Sequence, residues 1–243
     1  MKTTTIPTTN KLSENKIEKE LRYVLSSAEY EKLKKNAMAI EDLTLGHAVR
    51  ELTVMYDNPN PDNTFYSKEV DGRLRVRTSK PGKADIFSNS STVPAVSMLT
   101  WKQRIPQFVG NDLNQEREVE VNIDANEMDN MIVILEDVLH CPRISSYERN
   151  RETFYINGVE VASDTFPYGH VVELELKDSD NVEDIYAVAK ALGLDKTHKS
   201  TMSCDDMYKF LCEREGIVPK SDILFNDEQM PGLDAAIERG DLA

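Results

Sequence analysis

Cysteine is scarce in this chain: Cys141, Cys204 and Cys212 are the only three in 243 residues, odd in number and without a CxxC pair. That argues against a disulfide framework and suits a reducing compartment. Cys204 and Cys212 lie eight apart with no histidine cluster nearby, so the spacing does not describe a zinc centre. Histidines are equally sparse. His47, His140, His170 and His198 are scattered and read as structural or surface residues, with His170, beside Gly169 and Glu173, the one expected nearest a site. No apolar run approaches the ~20 residues that a membrane helix needs. The opening MKTTTIPTTNKLSENK lacks the apolar stretch of a secretory signal. Basic residues are in deficit, 29 against 43 acidic, for a formal charge of −14. Counterion release from phosphates needs a basic surface, so this balance disfavours nucleic acid and anionic membranes as partners. No internal repeat or low-complexity tract is visible. These absences predict a cytoplasmic protein; self-association into a homodimer stays open.

What is present is one good-sized core, 40% of the residues being hydrophobic. Residues 1–15 are polar and predicted to be disordered. Strands are predicted over 17–25, 51–57, 73–79, 96–104, 116–124, 152–158, the following VEVASDTF, and 170–178. Ser26 with Glu29 forms a capping-box signature for a helix from Ala28 to about Ala37. Asn157-Gly158 is a hairpin signal. Met128, Met131, Ile132, Leu135 and Val138 mark a further helical stripe, with the methionines as core fillers. Two more helices are expected around 181–192 and 204–214, before a loose acidic end. About eight strands with hairpin-like connections predict an α+β, mainly β, chain built as an antiparallel barrel or sandwich with peripheral helices.

Strand residues two apart share a face. Glu18, Glu20 and Arg22 therefore lie together, as do Arg73, Arg75 and Arg77, Glu116, Glu118 and Glu120, and Glu173, Glu175 and Lys177; Arg149 and Arg151 form another pair. An ordinary solvated face mixes charges and hydroxyls, whereas here the sign is sorted by strand. Like charges in register repel unless counter-charges stand opposite. A closed eight-stranded antiparallel β-barrel satisfies that requirement by setting acidic and basic strands across a lumen. Arginine forks grip phosphate oxygens and stay cationic. Paired carboxylates hold Mg²⁺ or Mn²⁺, which bridge to phosphates. The lumen is thus expected to bind a polyphosphate together with metal.

The same residues resemble the CYTH, or triphosphate tunnel metalloenzyme, family, named for bacterial adenylate cyclases and thiamine triphosphatase. Glu18-Lys19-Glu20-Leu21-Arg22 is similar to its opening ExExK motif, with arginine in the lysine place. MYDNP (55–59), LRVR (74–77), LTWK (99–102) and EREVE (116–120) resemble its next strands, with Glu116 in a usual arginine place. Arg149-Asn150-Arg151, Asp164, Gly169 and the pair Glu173/Glu175 follow in order. The resemblance spans roughly 17–178. It implies a tunnel domain over 16–200, followed by a C-terminal helix and acidic tail over 201–243. It also implies that Arg75, Arg77, Lys102, Arg149 and Arg151 hold a triphosphate, and that Glu18, Glu20, Glu118, Glu120, Glu173 and Glu175 supply the metal ligands, with Asp164 in support. Arg73 and Glu116 face the right way on weaker family warrant. An ordinary surface role for Lys102 and a turn role for Asp164 are the bland alternatives.

Glu18, Glu20 and Arg22 are then the catalytic candidates, but an arginine is a poor general base. Water would have to be activated by metal or a glutamate, or hydrolysis is weak. The leading expectation is a metal-dependent triphosphatase acting on inorganic, thiamine or nucleoside triphosphate. The alternatives are a class IV-type adenylate cyclase, favoured by DTFPYGHVVELELK and the following ALGL helix, a non-catalytic triphosphate sensor, and an RNA 5′-triphosphatase, which the net acidity counts against.

Overall fold

A computed structural model describes residues 17–67, 69–87, 94–105, 113–177, 181–194 and 197–242. The predicted disordered tail, 1–15, lies outside the described residues. Eight strands carry the architecture: β1 (Ile17–Leu25), β2 (Thr44–Tyr56), β3 (Gly72–Pro81), β4 (Val96–Arg104), β5 (Asn114–Ile123), β6 (Arg143–Ile156), β7 (Val159–Phe166) and β8 (Gly169–Leu176). Their hydrogen-bonded order is β6-β2-β3-β4-β5-β1-β8-β7, and β7 pairs back to β6, so the sheet closes into an eight-stranded antiparallel barrel. Two short strands lie outside it: β9 (His198–Lys199) against β1, and β10 (Asp222–Ile223) parallel to β6.

Local sequence sets the corners. Helix α1 (Ser27–Met38) starts at a capping box in which Ser26 Oγ accepts from the Glu29 amide at 3.3 Å and the Ser26 amide donates to Glu29 Oε2 at 2.8 Å. The β6–β7 turn places Asn157 and Gly158 at φ 50° and 76°, the left-handed pair that a tight hairpin demands. Both β2 and β6 begin well before the predicted starts at 51 and 152. Their early residues mix polar and apolar side chains without strict alternation and are recruited by the far end of the partner strand, Thr44 opposite Tyr155 and Arg143 opposite Tyr56.

The apolar faces point outward, and helices cover much of them, although Leu52, Val119 and Val121 stay exposed. Leu21, Tyr23, Val161, Val172 and Leu174 pack under Tyr30, Leu33 and Ala37 of α1 and under Ile185, Val188 and Ala189 of α3 (Val182–Ala191). Each fully buried side chain of this kind contributes about 2 kcal/mol. A helical stretch over 125–138, containing α2 (Met128–Val133), lies over Tyr56, Val76 and Ile123. The stripe predicted there is only partly buried. Leu135 is enclosed and Met128 and Met131 pack against the cluster, but the last turn widens to a π-helix and Val138 is exposed. The C-terminal end is ordered rather than loose. Helix α4 (Cys204–Glu215) and helix α5 (Leu233–Glu238) bury Met207, Tyr208, Leu211, Leu233 and Ala236 against Val24, Met55, Tyr147, Phe166 and Val171 at one end of the barrel. No helix among the described residues is long and apolar enough to cross a membrane.

Candidate functional site

Inside the barrel lies a cavity of about 270 Å³. Its lining includes Glu18, Glu20 and Arg22 from β1, Arg73, Arg75 and Arg77 from β3, and Lys102 from β4. Glu116, Glu118 and Glu120 of β5, Arg149 and Arg151 of β6, and Glu173 and Glu175 of β8 complete the predicted set. Alternation within each strand aims these side chains inward while their neighbours build the outer apolar shell. Strand order then sorts the charge: the acids occupy the run β5-β1-β8, and the arginines of β3 and β6 flank β2 on the other side. Ser203, Cys204 and Asp205, at the start of α4, form a floor at one end. At the other end stand Glu120, which is exposed, Glu160 and Lys177.

Lys102 sits in the acidic run with its Nζ 2.8 Å from Glu18 and 3.4 Å from both Glu116 and Glu118, so it is an interior cation and not a surface lysine. Arg75 pairs with Glu118 at 3.1 Å. Arg149 donates to Glu51 at 2.6 Å and to Asp164 at 3.0 Å, and Arg151 donates to Asp164 and Glu173 at 2.6 Å. Asp164 is fully buried, with both oxygens accepting from these arginines, and is not part of the cavity lining. On β7 it shares the inward face with Glu160, Ala162 and Phe166, but Arg149 and Arg151 cover its oxygens, so it positions those arginines and is not open to the cavity as a metal ligand would be.

Compensation is uneven. Arg77 has one acidic neighbour, Glu51 at 4.0 Å, and burial together with the charges of Arg75, Arg149 and Arg151 pulls its guanidinium down to about 10. Among the described residues, the Nε atoms of Arg73, Arg75 and Arg77 have no hydrogen-bond partner and are buried. Buried donors are rarely left unused, and each one is costly. On the acidic side, burial first and neighbouring carboxylates next push Glu20 and Glu175 up to about 7. Glu18 is also raised, by burial and by a hydrogen bond shared with Glu118. The cavity thus holds under-compensated arginines on one wall and, on the other, crowded acids that keep raised pKa values despite their pairing with Lys102, Arg22 and Lys177.

The donor set fits a hard divalent ion, being all carboxylate and carrying more negative charge than its lysine offsets. As the side chains stand, no three acidic, histidine or cysteine groups among the described residues converge on one point. Lys102 and Arg22 occupy the spaces between them.

Several lining residues carry no motif. Glu51 alternates with Leu52 and Val54, but a single acid on a strand gives no sorted pattern. Tyr147, Cys204, Asp205 and Glu160 likewise stand alone in sequence. His47, not His170, reaches the lining. His170 stacks on Tyr30 with centroids 3.8 Å apart and lies near Thr165 Oγ1, and burial lowers its pKa.

The closed eight-stranded antiparallel barrel is the fold that the motif resemblance implied. Solved structures bear this out. A candidate adenylate cyclase from Vibrio parahaemolyticus matches over 79% of this chain and 98% of its own, with 17% identity and a TM-score of 0.58. The PH1819 protein of Pyrococcus horikoshii OT3 matches over 78% and 97%, with 18% identity and a TM-score of 0.54. HpAC1 from Hippeastrum, described as a candidate adenylyl cyclase with a dominant triphosphatase activity, matches over 84% and 97%, with 16% identity and a TM-score of 0.52. No family model matches the chain, and no curated protein matches it in sequence.

Proposed function

We propose that the cavity binds the triphosphate of a small molecule together with Mg²⁺ or Mn²⁺, and that the protein is a metal-dependent triphosphatase. The observation that carries this reading is the arginine wall: Arg75, Arg77, Arg149 and Arg151 face one lumen, with Arg77 under-compensated and two of the four keeping an unpaired buried Nε–H. Phosphate oxygens accept from the guanidinium fork in charge-assisted, often bidentate hydrogen bonds. A volume of about 270 Å³ is below the ~300 Å³ at which sites for drug-sized molecules begin. It suits a phosphate chain whose organic part stays at the open end.

Arg75, Arg77, Arg149 and Arg151 would bind and orient the chain, and Lys102 would meet it from the acidic side. Mg²⁺ or Mn²⁺, held by Glu18, Glu118, Glu120 and Glu175, with Glu20 and Glu173 nearby, would neutralise charge on the phosphates. HpAC1, with its dominant triphosphatase activity, favours hydrolysis; the candidate cyclase from Vibrio keeps cyclisation of ATP as the second reading.

The test is product analysis after incubation with ATP, tripolyphosphate or thiamine triphosphate and either metal. Orthophosphate with ADP, or with pyrophosphate from tripolyphosphate, is the expected result. Cyclic AMP with pyrophosphate selects the cyclase. Metal-dependent thermal stabilisation by tripolyphosphate without turnover selects a sensor. Arg77→Ala should weaken triphosphate binding at least tenfold; unchanged binding defeats the arginine-wall assignment.

A further inference from the structure

Arg22 spreads its donors in three directions. Nε donates to Glu173 Oε1 at 2.8 Å, Nη2 to Glu20 Oε1 at 2.8 Å, and Nη1 to the backbone carbonyl of Met202 at 2.5 Å. The first two acceptors belong to the acidic wall, where Arg22 and Glu173 stand opposite each other in the β1–β8 register. The third belongs to the segment that enters α4, whose Ser203, Cys204 and Asp205 make the floor. That segment is already aligned beside β1, since the Ser200 amide donates to the Arg22 carbonyl at 2.9 Å. Arg73, on the opposite wall, approaches Asp206 of α4 at 3.5 Å.

Such a bridge is specific to a guanidinium. Its five donors lie in one rigid plane and reach acceptors on separate sides, whereas an ammonium carries all three donors on one nitrogen at the end of a flexible stem. The two carboxylates also hold Arg22 firmly cationic, overriding the opposing effect of its burial.

We propose that Arg22 is a positioning residue that ties the acidic wall of the cavity to its floor, and so sets the deep end of the seat for a bound phosphate chain against the two carboxylates it grips. Glu20 and Glu173 are held at a set separation, and the turn at Met202 is held against them. The structural tie stands by itself; its effect on a phosphate chain rests on the triphosphate reading.

Hydrogen exchange of the ligand-free full chain tests the tie. In Arg22→Lys and Arg22→Gln, backbone amides of residues 199–206 should exchange about tenfold faster, while those of the β6–β7 hairpin, 150–165, keep their rates. Glu173→Gln, which leaves the arginine one of its two carboxylates, should give an intermediate rise and serves if either Arg22 variant fails to fold. Full protection in Arg22→Lys would show that charge alone holds the floor, and faster exchange throughout the barrel would show general destabilisation; either result overturns the proposal. Calorimetry with tripolyphosphate and Mg²⁺ should show about tenfold weaker binding in both Arg22 variants. Unchanged binding over a loosened floor also overturns it. If the unaltered protein does not bind tripolyphosphate, the triphosphate reading fails and the exchange data decide the tie separately.

Discussion

Glu51 shows how much of the site rests on one unannounced side chain. It accepts from Arg149 at 2.6 Å and from Ser79 at 2.9 Å, and is 4% exposed. Burial opposes its charge, but Arg149, Arg77 and Arg151 hold its carboxyl well below the usual range. A group depressed in this way stabilises the folded state above the ordinary carboxylate pKa and loses that contribution as the pH falls through its folded value. Glu51→Gln should therefore cost roughly 3 kcal/mol at neutral pH, the scale for breaking one side of a buried ion pair. The deficit should shrink steadily as urea unfolding is repeated from pH 5 towards pH 2. A deficit independent of pH would mean that shape, not charge, sets its role. Such residues escape sequence reasoning because a lone acid among hydrophobic neighbours reads as solvent-facing. Arg73, Arg75 and Arg77, three in phase on one strand, could be recognised at once.

At the scale of elements, legibility followed the strength of the local pattern. The capping box at Ser26 and Glu29, the Asn157-Gly158 turn and the alternation of β5 were readable because each has a short-range physical cause. The early halves of β2 and β6 were not, since their partner is about a hundred residues away and nothing local demands an extended chain. The stretch 125–138 shows the opposite error. Helical periodicity was real, but the barrel surface encloses only Leu135 of that stripe, leaving Met128, Met131 and Ile132 half-buried and Val138 exposed. For the hairpin, Gly158 at φ 76° carries a definite expectation. Gly158→Ala should destabilise by about 1 kcal/mol, lowering the melting temperature by roughly 2–4 °C. An unchanged melting temperature would show that the turn relaxes to a conformation other than the one described.

For the whole molecule, a chain of charge −14 encloses a cavity in which carboxylates still outnumber cations. A triphosphate adds further negative charge, so on the proposed reading the anion and a divalent ion depend on one another. Thermal scans should show stabilisation by Mn²⁺ alone, little by tripolyphosphate alone, and more by the two together than by the sum of their separate shifts. Strong stabilisation by tripolyphosphate without metal would show that the arginine wall suffices unaided. Barrel closure and the inward sorting of charge were both legible in the sequence. The floor was not, because it comes from a C-terminal segment whose position depends on burying Met207, Tyr208 and Leu211 against the end of the barrel.

That floor has a kinetic consequence. The start of α4 lines one end of the cavity and Glu120 and Lys177 the other; on the proposed reading, a phosphate chain that entered past Glu120 and Lys177 would leave by the same way. Were the proposed hydrolysis to occur there, its two products would have to depart one behind the other, the deeper trapped until the outer has gone. Egress, rather than bond breaking, would then set the pace of a cycle, and the outer fragment, added from solution, would slow it by standing in the exit.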